Sequence, residues 1–157
     1  MNTLISTAQL LQYAFSGGEY LPPENFSEAD IAAAEERYLV PVIGPALHER
    51  LLAGDYADLR DNYLARPLAF FTRLLIQPRL DIRTGQCGTS APKGSWGQPA
   101  DEEALRRQCR ALRAQARTLL RRAAEYLETH RDEFPEYRPE ANILKHCTTD
   151  GGFVQIR

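Results

Sequence analysis

Arg106, Arg110, Arg113, Arg117 and Arg121 recur every three or four positions along a stretch whose apolar residues repeat at helical spacing. On a helix, residues that far apart are neighbours on one face. A guanidinium is planar, permanently charged and shaped to grip a carboxylate or phosphate through two parallel N–H bonds. Glu103 can pair with Arg106 and Glu125 with Arg121 within the helix, but Arg110, Arg113 and Arg117 have no acid at pairing distance along it. Like charges so placed cost about a few tenths of a kcal/mol per pair. Three readings follow: a solvated face, an acidic protein surface that the stripe grips, or a DNA phosphate backbone inside a ring. The acidic protein is preferred. Glu35, Glu36, Asp55, Asp58 and Asp61 offer a complementary surface on a second copy of the same chain.

Other side chains suggest chemistry less well. His130, His146 and Cys147 with Cys87 or Cys109 could be assembled into a zinc site. Structural zinc sites show paired ligands such as C-x-x-C or H-x-x-x-H, and no such pair occurs here. Adjacent His146 and Cys147 point apart in an extended segment, and Cys109 falls on the apolar seam as a small core residue. Lys93-Gly94-Ser95 lies in a glycine-rich loop, but the order is inverted relative to a P-loop. The helix that follows opens with Asp101, Glu102 and Glu103, which repel phosphate. There is no G-x-S-x-G elbow. We therefore expect no enzyme activity, metal or cofactor. Trp96, a large apolar side chain among glycines, suits an interface anchor; the alternative is that it folds onto its own core. Phe153 and Ile156 bound a short terminal strand that could extend a neighbour's sheet edge; the alternative is a frayed tail.

The totals narrow the class. A chain of 157 residues suits one domain with its own core. A net charge of −2 argues against a chain that binds nucleic acid by bulk charge. The three cysteines are irregularly spaced and read as free thiols in a reducing compartment. The N-terminal Met-Asn-Thr-Leu-Ile-Ser-Thr has neither the basic nor the apolar region of a signal peptide, and no run approaches the ~20 apolar residues of a membrane span.

Helix signals dominate the elements that must hold these side chains. Ser6 and Gln9 form a capping box, with Ile5 and Leu10 as a staple. That helix is expected to end near Gly17-Gly18, before a linker over 17–25. Ser27 and Asp30 approximate a second box, with Phe26 and Ile31 as its staple. Ile31, Ala34, Tyr38 and Leu39 mark the apolar face, and Glu35, Glu36 and Arg37 the polar one. Pro41 is expected to end this helix. Pro45 suits the start and Gly54 the end of the next, and Asp55 can cap the one after. Pro67 kinks or restarts that helix, and Leu68 to Ile76, apolar all round, reads as a buried core helix ended by Pro78. Residues 79–84 alternate like a short strand, and 85–98 read as a loop. A long helix over 101–132 carries the arginines beside a seam of Leu105, Cys109, Leu112, Ala116, Leu119, Ala123 and Leu127. Phe134-Pro135 stops it. The tail, 138–157, is irregular, with a turn at Asp150-Gly151-Gly152 and a terminal strand over 153–156. The expectation is an all-α, single-domain bundle over 1–157 with a long C-terminal helix, a glycine-rich loop and an extended C-terminal tail.

Several of these segments also carry a resemblance. Ala34 to Leu52, with its Tyr38-Leu-Val-Pro-Val-Ile-Gly44 joint, resembles the N-terminal signature of small phage and prophage head–tail connector (neck, head-completion) proteins. The pieces that follow keep the family's order: Arg66-Pro67-Leu-Ala-Phe-Phe71, the Gly85–Gly97 loop, the long helix and the Phe134-Pro-Glu-Tyr137 stop. The similarity spans residues 26 to 138, and its motifs are short and structural. It implies a subunit of a homo-oligomeric ring between portal and tail proteins, made in the cytoplasm and carried into the virion, with non-specific DNA contact in the lumen and no membrane. Residues 85–98 and 148–157 would touch neighbouring subunits or the portal. The alternative is a DNA-binding or regulatory helical module that uses the same arginines on phosphate. A small enzyme or metal protein is a third.

Overall fold

The computed structural model describes residues 2–15, 26–85, 88–90, 100–145, 147–150 and 153–156, with side chains over 2–15, 26–82 and 100–145. It is an all-α domain with two short β-hairpins. Helix α1 (Thr7–Ala14) opens with the expected box: the Ser6 N–H donates to Gln9 Oε1 at 2.9 Å, and the Gln9 N–H donates to Ser6 Oγ at 3.2 Å. α1 ends at Ala14, short of the glycines, and Arg73 caps it by donating to the Ala14 carbonyl. The same guanidinium lies 4.4 Å from the Phe15 ring centroid.

Helix α2 (Glu28–Ala34) does not stop before Pro41. A π turn (Glu35–Leu39) and α3 (Val40–Ile43) continue it, and Gly44 ends it. Proline cannot donate to the carbonyl four residues back, and its ring crowds that group. The carbonyl in question belongs to Arg37, inside the π turn, where the wider winding absorbs the conflict. Pro67 repeats the device. α5 (Ala57–Leu59) passes through a second π turn (Arg60–Leu64) into α6 (Ala65–Asp81), and the carbonyl Pro67 cannot pair, that of Tyr63, lies in the π turn. α6 also runs through Pro78 to Asp81, so residues 79–81 are helix rather than strand. The chain becomes extended from Ile82, and Arg83–Gly85 (β1) pairs antiparallel with Gly88–Ser90 (β2). Between these lies α4 (Pro45–Leu52), with Pro45 in its first turn. Asp55 does not cap α5. Tyr56 stands at that position in a left-handed conformation, φ 55°, held by its hydroxyl donating to Glu136 at 3.0 Å and by an edge contact with Phe134.

α6 is the hub and packs against α1, α2 and α7 (Glu102–Thr129). Its core residues Leu68, Ala69, Phe71, Thr72 and Ile76 are buried. α7 is 28 residues, about 42 Å at 1.5 Å per residue. Asp101 caps it, accepting from the Ala104 N–H at 2.7 Å. Its buried face is Leu112, Ala116, Leu120, Ala123, Ala124 and Leu127, so Leu120 takes the place expected of Leu119; Leu105, Cys109 and Leu119 are half-buried. A period nearer 3.7 than the heptad's 3.5 accounts for the change. Past α7, Phe134 and Tyr137 are buried, and buried Asn142 donates to the Tyr137 hydroxyl at 2.9 Å. Residues 138–145 are thus fastened by short 3₁₀ turns rather than irregular, and Lys145 pairs with Glu128 at 2.6 Å. The chain ends in a hairpin, Cys147–Asp150 (β3) with Phe153–Ile156 (β4), registered Asp150↔Phe153 and Cys147↔Ile156.

Candidate functional site

The arginine stripe divides along α7. Arg106 pairs with Glu102, not Glu103, because the acid sits four residues N-terminal to its partner, the favoured orientation. Arg121 does not pair with Glu125, where that order is reversed. Arg106 and Arg110 are exposed toward the start of the helix. Arg113, Arg117 and Arg121 turn instead to a groove of about 490 Å³, where Arg37 joins them from the first π turn.

Five parts of the chain build this groove. The π turn supplies Arg37 and Tyr38, α3 supplies Pro41 and Val42, α7 supplies Leu120 with its three arginines, and α6 supplies Phe71 from below. Ile143 and Leu144 close one end, on the turn that the Lys145–Glu128 pair ties to α7. Val42, Phe71 and Leu120 are buried, whereas all four arginines are exposed, so the floor is apolar and the rim cationic. Tyr38 stacks on Phe71 with centroids 4.2 Å apart and planes 10° apart. The Arg37 guanidinium rests over the Tyr38 ring at 5.4 Å from its centroid, which restricts where its donors point. No carboxylate among the described residues pairs with Arg37, Arg113, Arg117 or Arg121. Such an arrangement can grip carboxylate or phosphate oxygens while covering an apolar side chain.

The complementary acidic surface is smaller than expected. Glu35 is 2% exposed and internally committed. Its Oε1 accepts from the Leu4 N–H at 2.7 Å, and its Oε2 lies 3.0 Å from Nε2 of buried His48. Asp55 pairs with Arg50 at 3.2 Å and Asp61 with Arg60 at 2.7 Å. The Arg60 guanidinium holds the Asp61 carboxyl below its ordinary range. Glu36 and Asp58 stay exposed without an ion pair among the described residues.

Trp96, Lys93-Gly94-Ser95, Cys87, His146 and the 17–25 linker lie outside the described residues. Phe153 and Ile156 belong to β4, whose partner is β3 of the same chain; one edge of that strand is therefore already used. Of the imagined zinc ligands, His130 stacks on Tyr126 at 4.2 Å, with Nδ1 3.0 Å from the Tyr126 carbonyl, and Cys109 packs against the core. Among the described residues no group of three His, Cys, Asp or Glu could hold a metal ion. None of their helices is long and apolar enough to cross a membrane.

The α7 stripe was visible in the sequence; the contributions of Arg37 and Tyr38 were not. They stand far from α7 in the chain, and only the packing of α2 and α7 on α6 brings them together.

Fold and site together define an all-α, single-domain protein with a cationic groove on its longest helix. The chain belongs to a family of unknown function (DUF6712), whose model matches residues 39–146. No curated protein and no solved structure matches it.

Proposed function

We propose that the protein is a structural subunit of a phage or prophage head–tail connector, assembling as a ring between portal and tail. One observation carries this reading. The segments that resemble the connector family stand in the family's order along the chain, and two of them, Tyr38–Gly44 and Phe134–Tyr137, are joints of this fold. The Tyr38–Gly44 stretch supplies one side of the groove. In the Phe134–Tyr137 stop, both aromatic residues are buried, and Glu136 accepts from Tyr56 and pairs with Arg50 at 3.2 Å. The unneutralised arginines of α7 support an assembly role: they suit a contact that forms with a partner and weakens as salt rises. Work is done by docking, with no bond made or broken.

Deletion of the gene from an inducible lysogen tests the proposal. The expected product is DNA-filled heads and free tails that fail to join, restored by expression of the chain in trans. Intact tailed particles from the deletion strain would overturn it.

A DNA-binding helical module is the second reading, favoured by the same arginine face. It predicts that the isolated chain binds duplex DNA with an affinity that falls steeply as salt rises.

A further inference from the structure

The groove asks more of its occupant than charge. We propose that it is the docking site for an amphipathic peptide segment of a partner protein, with Asp or Glu on either side of apolar or aromatic residues. The inference rests on the assembly reading above and states what the partner presents.

Three features select this chemistry. First, the rim brings four guanidiniums together with no carboxylate partner among the described residues, so the negative charge has to come from outside. Second, the floor is Val42, Phe71 and Leu120 with Tyr38 stacked above Phe71, and Ile143 at its end is 44% exposed. A phosphate backbone gains nothing from apolar surface, whereas an apolar side chain laid over that packed floor, against exposed Ile143 and half-buried Tyr38 and Leu144, removes their remaining surface and its own from water. Third, about 490 Å³ is far more than one phosphate fills and falls within the ~300–1,000 Å³ of sites that hold larger ligands.

Spacing sharpens the motif. Arg113 and Arg121 are two helical steps of four residues apart, about 12 Å along α7. An extended peptide covers that in about four residues at ~3.3 Å each. Acids three or four positions apart, with apolar residues between them, therefore match both rim and floor. Arg37 joins the arginines of α7 from the first π turn, positioned over Tyr38.

The test is selection from a displayed library of random peptides of about ten residues, long enough at ~3.3 Å per residue to cross the groove. The bait is the full-length folded protein, and selected peptides are then titrated by fluorescence anisotropy. The expected result is enrichment of acid–apolar–apolar–acid sequences. Their affinity should fall about tenfold or more on Arg113→Glu with Arg117→Glu, and by a smaller factor on Ile143→Ser. Peptides with Lys in place of the acids should regain binding to the charge-reversed protein, which a misfolded variant could not support. No enrichment, enrichment without the acid–apolar pattern, or equal binding to the variants would overturn the proposal. So would duplex DNA that binds through Arg113 and Arg117 while no peptide is selected. Failure here, with the chain still required to join heads to tails, would remove the groove proposal alone. Tailed particles without the chain would remove the connector reading and leave a positive selection standing.

Discussion

Glu35 holds two distant pieces of the chain in one buried contact. Its carboxylate takes the Leu4 N–H and faces His48, joining the N-terminal segment, the first π turn and α4. Truncation leaves a backbone donor and an imidazole in the core without their partner, and a stranded buried group costs about 1–3 kcal/mol. Glu35→Ala is therefore expected to lower stability by about 2–4 kcal/mol by urea denaturation, with Glu35→Gln losing less. A loss below about 0.5 kcal/mol, the range of ordinary surface substitutions, would show the contact to be idle. Asp30 contributes at the surface. Burial pushes its carboxyl up, but the Arg79 guanidinium at 2.7 Å and the Ser27 N–H outweigh that and hold it below its ordinary value. A depressed carboxyl stabilises the fold above its unfolded pKa, and that contribution is lost as pH falls through the folded one. Urea midpoints should thus hold from neutral pH to about pH 5 and drop below about pH 4, with a shallower drop in Arg79→Ala. Equal acid slopes in the two proteins would contradict the assignment. The Ser27–Asp30 box was legible because its residues are three apart. The buried role of Glu35 was not, since a glutamate beside Glu36 and Arg37 reads as surface. The clue is that Glu35 stands four residues after Ile31, on the apolar face.

At the scale of elements, prolines and glycines decide where helices bend and stop. Pro41 and Pro67 do not end their helices, because a π turn sits where each loses its hydrogen bond. Sequence rules that treat proline as a terminator miss this. The partner that packs on the first of these turns, Phe71 stacked with Tyr38, lies outside the local window. Gly44 makes the actual break, at φ 85° and ψ 154°, a region open almost only to glycine. Nothing lies within 4 Å of where a Cβ would stand, so the obstacle to substitution is the backbone alone. Gly44→Ala should cost about 1–3 kcal/mol, measurable as a lower Tm with an unchanged far-UV spectrum. An unchanged Tm would mean that the joint can rotate to another conformation. Because this joint aims α3 at the groove, the same variant should also weaken binding of selected peptides.

The whole molecule is a hub helix, α6, with the long α7 laid against it and the groove where α7 meets the α2–α3 arm. Helix class, the core helix and the long arginine helix were readable because their periodicity is sustained over many residues. The groove was not, since it is a product of tertiary packing. Arg113, Arg117 and Arg121 are exposed and unpaired among the described residues, so charge reversal should not disturb the fold. Arg113→Glu with Arg117→Glu is expected to shift stability by no more than about 0.5 kcal/mol while blocking assembly into particles. Assembly at the wild-type level would sink the role given to these arginines. The central claim, that this is a neck subunit, is tested most directly by quantitative mass spectrometry of phage-like particles purified after induction of the source cells. The account predicts the chain at a fixed, low copy number per particle, far below the capsid protein. Well-formed tailed particles without it would contradict the account.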